Sequence, residues 1–168
     1  MIFVGCDPGK TGFLTIYDEE NQTHRFFQIP LMHDRLDSRM MYSMIDQSRL
    51  DMFDIRGLVT IYVEDVHSLF GMSAKSNFSF GQIYGSILAV TDMFCDTTLV
   101  QPKEWQKVMH QGIEKNEDKK VMSLQAAQRL FPDMDFKRTD RCTTPDHNLV
   151  DSLLICEYAR IKYYENRS

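Results

Sequence analysis

Long apolar runs are missing from this chain. No stretch approaches the roughly 18 unbroken apolar residues that a membrane-spanning helix requires, and the first residues carry no signal-peptide pattern. A soluble, cytoplasmic protein with no membrane partner is expected. Cysteines are few and scattered: Cys6, Cys95, Cys142 and Cys156 form no CxxC pair and no Cys/His cluster at zinc spacing. That excludes a disulfide framework and a structural zinc site from the reading. Repeats, low-complexity tracts and linkers are also lacking. Residues 1–168 therefore read as one domain, and with 43% hydrophobic residues the chain can bury a real core. No serine or cysteine is accompanied by an oriented base of the kind that would mark a covalent nucleophile.

Charge is distributed unevenly. The net charge of −5 argues superficially against nucleic acid, but residues 1–65 carry 6 Lys/Arg against 11 Asp/Glu, and residues 103–141 carry 9 against 7. An acidic front half suits a metal site or a solvated surface, and the local basic excess suits a DNA-facing rim. Charge alone favours neither over ordinary surface.

Three strand-like runs open the chain, Ile2–Asp7, Phe13–Asp18 and Arg25–Ile29, and the polar turn Asp18–Asn21 marks them as an antiparallel meander. Met40, Met41, Met44, Ile45 and Leu50 fall near helical spacing after Ser38, a candidate cap. Leu58–Glu64 is apolar nearly throughout, as a strand covered on both faces should be. Val66–Asn77 reads as loop, and Ser79–Phe94 as a helix whose Gly81 and Gly85 stripe one face for close packing. A short strand, Thr98–Val100, precedes a helix opened by Pro102, a charged helix over Asn116–Leu130, and a last helix from Pro145 to about Tyr164. The resulting order, β-β-β-α-β-α-β-α-α-α, predicts an α/β fold with a mixed sheet flanked by helices.

The stretch Ile2–Gly12, IFVGCDPGKTG, delivers Asp7 to the tip of a buried strand, where Pro8 and Gly9 turn the chain and Gly12 relieves crowding. Taken alone, Asp-Pro-Gly is equally a plain hairpin turn. If the Leu58–Glu64 strand lies parallel beside the first, Glu64 joins Asp7 at one sheet edge. The last helix adds Asp146, His147 and Asp151, and Asp151 is a lone acid in an apolar run, where it needs a partner. Carboxylates gathered in this way raise one another's pKa unless cations neutralise them. Hard oxygen ligands suit Mg²⁺ or Mn²⁺, and two such ions roughly 4 Å apart can hydrolyse a phosphodiester.

The blocks GCDPGKTG, YVEDVHS and PDHNLVDSLLICEYAR, with FGMSAKSNFSFGQIYGSILAV between them, resemble in order the motifs of RuvC-type Holliday-junction resolvases of the ribonuclease-H-like superfamily, especially phage-encoded members. The resemblance spans essentially the whole chain. It implies a ribonuclease-H-like fold with a mixed five-stranded sheet, two Mg²⁺ (or Mn²⁺) ions per site, and a homodimer cutting four-way and other branched DNA. For a phage-encoded member the place of action would be the bacterial host cytoplasm. By position, Asp7 corresponds to the aspartate bridging both metals, Glu64 to the strand-end glutamate and Asp151 to the final-helix aspartate. The family's fourth ligand lies three or four residues earlier, where this chain has Asn148 and His147, with Asp146 one further back. Ligand chemistry favours Asp146, and the one-turn spacing from Asp151 favours His147.

Phe70 matches an aromatic that the family holds against unpaired bases, and stacking of that kind contributes about 1–3 kcal/mol per base. Lys10, Lys75, Lys115, Lys119 and Lys120, with Lys103 and Lys107, are the candidates for phosphate contacts, which position DNA and make binding salt-dependent. Arg138 and Arg141 are secondary candidates.

Overall fold

The computed structural model describes residues 1–47, 59–67 and 71–167. Phe70, Leu50 and Leu58 lie outside them.

The first strand, β1 (Ile2–Asp7), pairs antiparallel with β2 (Phe13–Asp18), which pairs antiparallel with β3 (Thr23–Gln28). On its other side β1 runs parallel to β6 (Val59–Glu64), and β6 runs parallel to β7 (Thr98–Val100). The sheet is thus five-stranded and mixed, in the order β3-β2-β1-β6-β7. A second, two-stranded ribbon, β4 (Leu31–Met32) with β5 (Arg35–Leu36), has no counterpart in the sequence reading. Its tip, His33-Asp34, has φ of 51° and 61° at consecutive residues. Such tips usually announce themselves by Asn-Gly or Asp-Gly, and here neither is present.

Alternation along the strands divides the core into two. Ile2, Val4 and Cys6 of β1 and Val59, Ile61 and Val63 of β6 face a cluster built with Met41 and Ile45 of α1 (Ser38–Asp46) and Ile83, Ile87 and Val90 of α2 (Ala74–Thr91). The opposite face of the sheet carries α3 (Pro102–Met109), α4 (Lys119–Leu130) and α5 (His147–Glu165), whose Trp105, Ala126, Leu149, Leu153 and Leu154 form the second cluster. Three layers result, helices over sheet over helices.

Helix α5 lies directly on β1. A Cβ at Gly5 would collide with the backbone of Ser152 and Cys156, so only glycine permits this approach. Two bonds fasten α5 to the sheet: Ser152 Oγ lies 2.7 Å from Thr15 Oγ1 of β2, and Cys156 Sγ donates to the Phe3 carbonyl of β1 at 3.3 Å.

Helix starts differ from expectation by a few residues, each for an identifiable reason. Asp37, not Ser38, caps α1 by accepting from the Met40 amide. Ser73 caps α2, so that helix begins at Ala74 inside the stretch read as loop. Its first turn buries little and gives no apolar periodicity to read. Asp118 caps α4 and Asp146 caps α5. The close packing expected on the Gly81/Gly85 face is not made among the described residues, since a Cβ at either glycine would meet nothing there within 4 Å. Among the described residues no helix is long and apolar enough to cross a membrane.

Candidate active site

The last pair in the β1–β6 register is Cys6↔Val63, so Asp7 and Glu64 end adjacent parallel strands at the same edge. Strand periodicity turns both onto the helical face occupied by α5, since Cys6 and Val63 face the other way. Asp151 lies one residue before Ser152, the point at which α5 meets Gly5. Gly12 completes the turn after Asp7, where a Cβ would strike the Asp7 carbonyl.

These three acids share one electrostatic environment. Burial pushes the Asp7 carboxyl well above its usual range, and the charges of Glu64, Asp151 and Asp146 push it further; Lys120 opposes them. Burial also raises Glu64, against a hydrogen bond from Trp105 that lowers it. Asp151 is raised by burial to about 7, although a Ser123 hydrogen bond opposes the shift. Among the described residues none of the three forms an ion pair with lysine or arginine. Buried carboxylates without a cation are costly when ionised.

The two candidates for a fourth ligand have different surroundings. Asp146 Oδ1 accepts from the Asn148 and Leu149 amides, and Oδ2 accepts from Arg138 Nε at 2.7 Å. Both of its oxygens are thus engaged in holding α5 and the preceding loop. His147 Nδ1 and Asp151 Oδ1, by contrast, are buried with no hydrogen-bond partner. Orphaned buried atoms of this kind are uncommon in folded proteins.

The donor chemistry fits a hard divalent cation: three carboxylates that repel one another, with an unpartnered carboxylate oxygen and an unpartnered imidazole nitrogen among the α5 residues. Among the described residues, however, no three His, Cys, Asp or Glu side chains are already drawn together around one point as a formed metal cage.

Other candidates fall in three places. Lys103, Lys107, Lys115 and Lys119 line an open cleft of about 520 Å³ between α3 and α4, with Glu117 the acid among its described lining residues. Lys120 projects its field onto Asp7 and Asp151. Lys10 pairs with Asp34 at 3.0 Å, and Lys75 acts on the same carboxylate. Arg138, a secondary candidate for phosphate, is engaged by Asp146.

Three supporting residues were not anticipated. Trp105 Nε1 donates to Glu64 Oε1 at 2.9 Å. Ser123, 2% exposed, links His110 Nε2 at 3.2 Å to Asp151. Asn148 Nδ2 donates to the Thr11 carbonyl at 2.9 Å, tying the start of α5 to the turn beyond Asp7. A lone tryptophan in a short polar helix is a usable sequence signal. A serine in α4 is not.

No protein-family model matches the chain, and no curated relative matches it either. Among solved structures it is similar to T. thermophilus RuvC in complex with Holliday junction substrate, with a TM-score of 0.53 and 15% identity over 96% of this chain and 96% of that one. The chain accordingly has the ribonuclease-H-like α/β fold that the resemblance of its motifs implied.

Proposed function

We propose that this protein is a metal-dependent endonuclease that resolves four-way DNA junctions, and related branched DNA, by paired phosphodiester hydrolysis near the crossover. The observation that carries this reading is the convergence of Asp7, Glu64 and Asp151 on one face of the sheet edge, in a fold shared with a protein solved on a Holliday junction. The resemblance of the four sequence blocks supports the same assignment.

Asp7, Glu64, Asp151 and His147 would hold Mg²⁺ or Mn²⁺, with Asp146 acting through its cap and its pair with Arg138. Bound ions would polarise the phosphodiester and the attacking water. The chain's own residues prepare that chemistry. Trp105 fixes the Glu64 carboxylate, Ser123 orients Asp151, and the Gly5 contact fixes the height of α5 over β1. Lys120 supplies a cationic field that lowers both Asp7 and Asp151, and it is suited to bring a phosphate toward them. The α3–α4 lysine cleft would track a duplex arm through its phosphates.

A homodimer follows from the symmetry of the substrate, because two sites related by a two-fold axis match two strands of a junction. The glycine face of α2, where a Cβ at Gly81 or Gly85 would meet nothing within 4 Å among the described residues, is the surface assigned to the partner copy.

The test is cleavage of strand-labelled DNA by wild type, Asp7→Asn, Glu64→Gln and Asp151→Asn in Mg²⁺, Mn²⁺ or EDTA. A four-way junction, a three-way junction, a linear duplex and an RNA–DNA hybrid are compared. Paired, metal-dependent nicks near the crossover, lost in all three variants while junction binding persists, are expected. Cutting of the hybrid alone would move the protein to ribonuclease H chemistry, and binding without cutting under every metal would make it a junction-binding protein.

A further inference from the structure

A second groove, of about 740 Å³, opens beside the β1–β2 turn and is lined by Lys10, His33, Arg35, Met72, Lys75 and Phe78. One wall is the start of α2. That helix buries Ile83, Ile87 and Val90, and Phe78 lies off this face with 69% of its surface exposed. Lys75 is one turn before Phe78 and therefore on the same side. Met72, 43% exposed, extends the apolar strip toward the helix cap. The other wall is the β4–β5 ribbon, whose tight tip is held by Lys10 Nζ on Asp34 Oδ1 at 3.0 Å.

The charge in this groove has one sign left over. Asp34 is its acid, and Lys10 neutralises it. Arg35 and Lys75 have no ion-pair partner among the described residues. An exposed aromatic between unpaired cations is the composition that binds single-stranded nucleic acid, because every base offers a face to stack and every linkage offers a phosphate. A base within a duplex is already stacked on both sides and cannot use Phe78. The groove also adjoins the carboxylates. Lys10 follows Asp7 by three residues, and Phe80 packs over Gly9 of the same turn, 3.7 Å from where a Cβ would stand.

We propose that this groove seats one unpaired nucleotide of the branched substrate, its base stacked on Phe78 and its flanking phosphates held by Lys75 and Arg35. The inference rests on the nuclease reading above and deepens it, since it gives the protein a way to recognise a branch point rather than a duplex. It is separate from Phe70, which lies outside the described residues.

The experiment places 2-aminopurine singly at each nucleotide flanking the crossover of a four-way junction and titrates the full-length protein in Ca²⁺. Wild type should change the fluorescence at a restricted set of positions. Phe78→Ala should abolish that change and weaken junction binding roughly tenfold, and Phe78→Trp should restore both. Arg35→Glu should weaken binding and flatten its salt dependence. Phe78 is exposed, so melting temperatures of wild type and Phe78→Ala should agree, which separates lost binding from lost fold. Identical fluorescence for wild type and Phe78→Ala at every position, with junction cutting intact, would overturn the groove and leave the nuclease standing. A wild type that neither binds nor cuts junctions would overturn both. If Phe78→Ala instead shifted the sedimentation coefficient without touching the fluorescence, the groove would be covered by a second copy and the proposal would fall.

Discussion

Trp105 Nε1 donates a 2.9 Å hydrogen bond to Glu64 Oε1, so a fully buried indole on α3 holds the carboxylate at the end of β6. That bond stabilises the ionised acid against the burial that raises its pKa. Removing the donor leaves the acid buried without its partner. Trp105→Phe should therefore cost about 1–3 kcal/mol of stability through the smaller ring and the lost bond. It should also lower junction cleavage roughly 10–100-fold, the usual effect of losing a group that orients a ligand. The acid limb of the pH–rate profile should move to higher pH. A variant that is merely less stable, with an unmoved profile, would assign Trp105 to packing alone.

Asp151 should make the metal-free protein sensitive to alkali. Its carboxyl is pushed up to about 7 from an ordinary 3.8, so between those values the native state holds a proton that the unfolded chain has released. The stability this contributes is complete below the unfolded value and is lost as pH rises through about 7. Asp7 and Glu64 are shifted in the same direction. Calorimetry in EDTA should accordingly show the melting temperature falling from pH 5 to pH 8. Asp151→Asn, which keeps the shape without the charge, should flatten that fall and raise stability at pH 8 by about 1–3 kcal/mol. Mg²⁺ should raise the melting temperature of wild type and do so less for the variant. Equal pH slopes for the two proteins would mean that Asp151 does not carry the buried charge.

The sheet and the three acids were legible because their signals are local. Nearly continuous apolar runs end in an acid at Asp7 and again at Glu64, and a lone acid interrupts the apolar run of α5 at Asp151. The order of the elements then gives the parallel β1–β6 pair with little choice left. The β4–β5 ribbon was not legible, because its strands are two residues long and its tip uses His33-Asp34 rather than glycine or asparagine. Nor were the supports of the site. Trp105, Ser123 and Asn148 act across 41, 28 and 137 positions of sequence, and such pairings arise from packing. The cap that Asp146 forms and its pair with Arg138 were not legible either, because a cap and its counter-ion look in sequence like a ligand and a phosphate contact.

His147 and Asp146 can be separated by substitution. Asp146→Asn keeps a side-chain oxygen for the Asn148 and Leu149 amides and gives up only the charge facing Arg138, and asparagine caps about as well as aspartate. Its cleavage rate should stay close to wild type, whereas Asp146→Ala should lose about 1 kcal/mol of stability. His147→Ala should lower the rate far more than Asp146→Asn and should raise the Mg²⁺ concentration needed for half-maximal cutting. The reverse ranking in a metal titration would make Asp146 the ligand and its hydrogen bonds to Arg138 and α5 incidental.

Gly81 and Gly85 offer the clearest separation of fold from assembly. Glycine inside a helix costs up to about 1 kcal/mol relative to alanine, and here a Cβ at either position would meet nothing within 4 Å among the described residues. In an isolated protomer Gly81→Ala and Gly85→Ala should therefore each raise stability by several tenths of a kcal/mol, with no effect on the core. If the face meets a second copy, that gain should be opposed by crowding at the contact. Gly85→Arg, which the protomer has room to accept, should then convert the dimer to a monomer in sedimentation velocity and reduce paired cutting to single nicks. A melting temperature that is independent of protein concentration in wild type, unchanged sedimentation of Gly85→Arg and undiminished paired cutting would remove α2 from the interface.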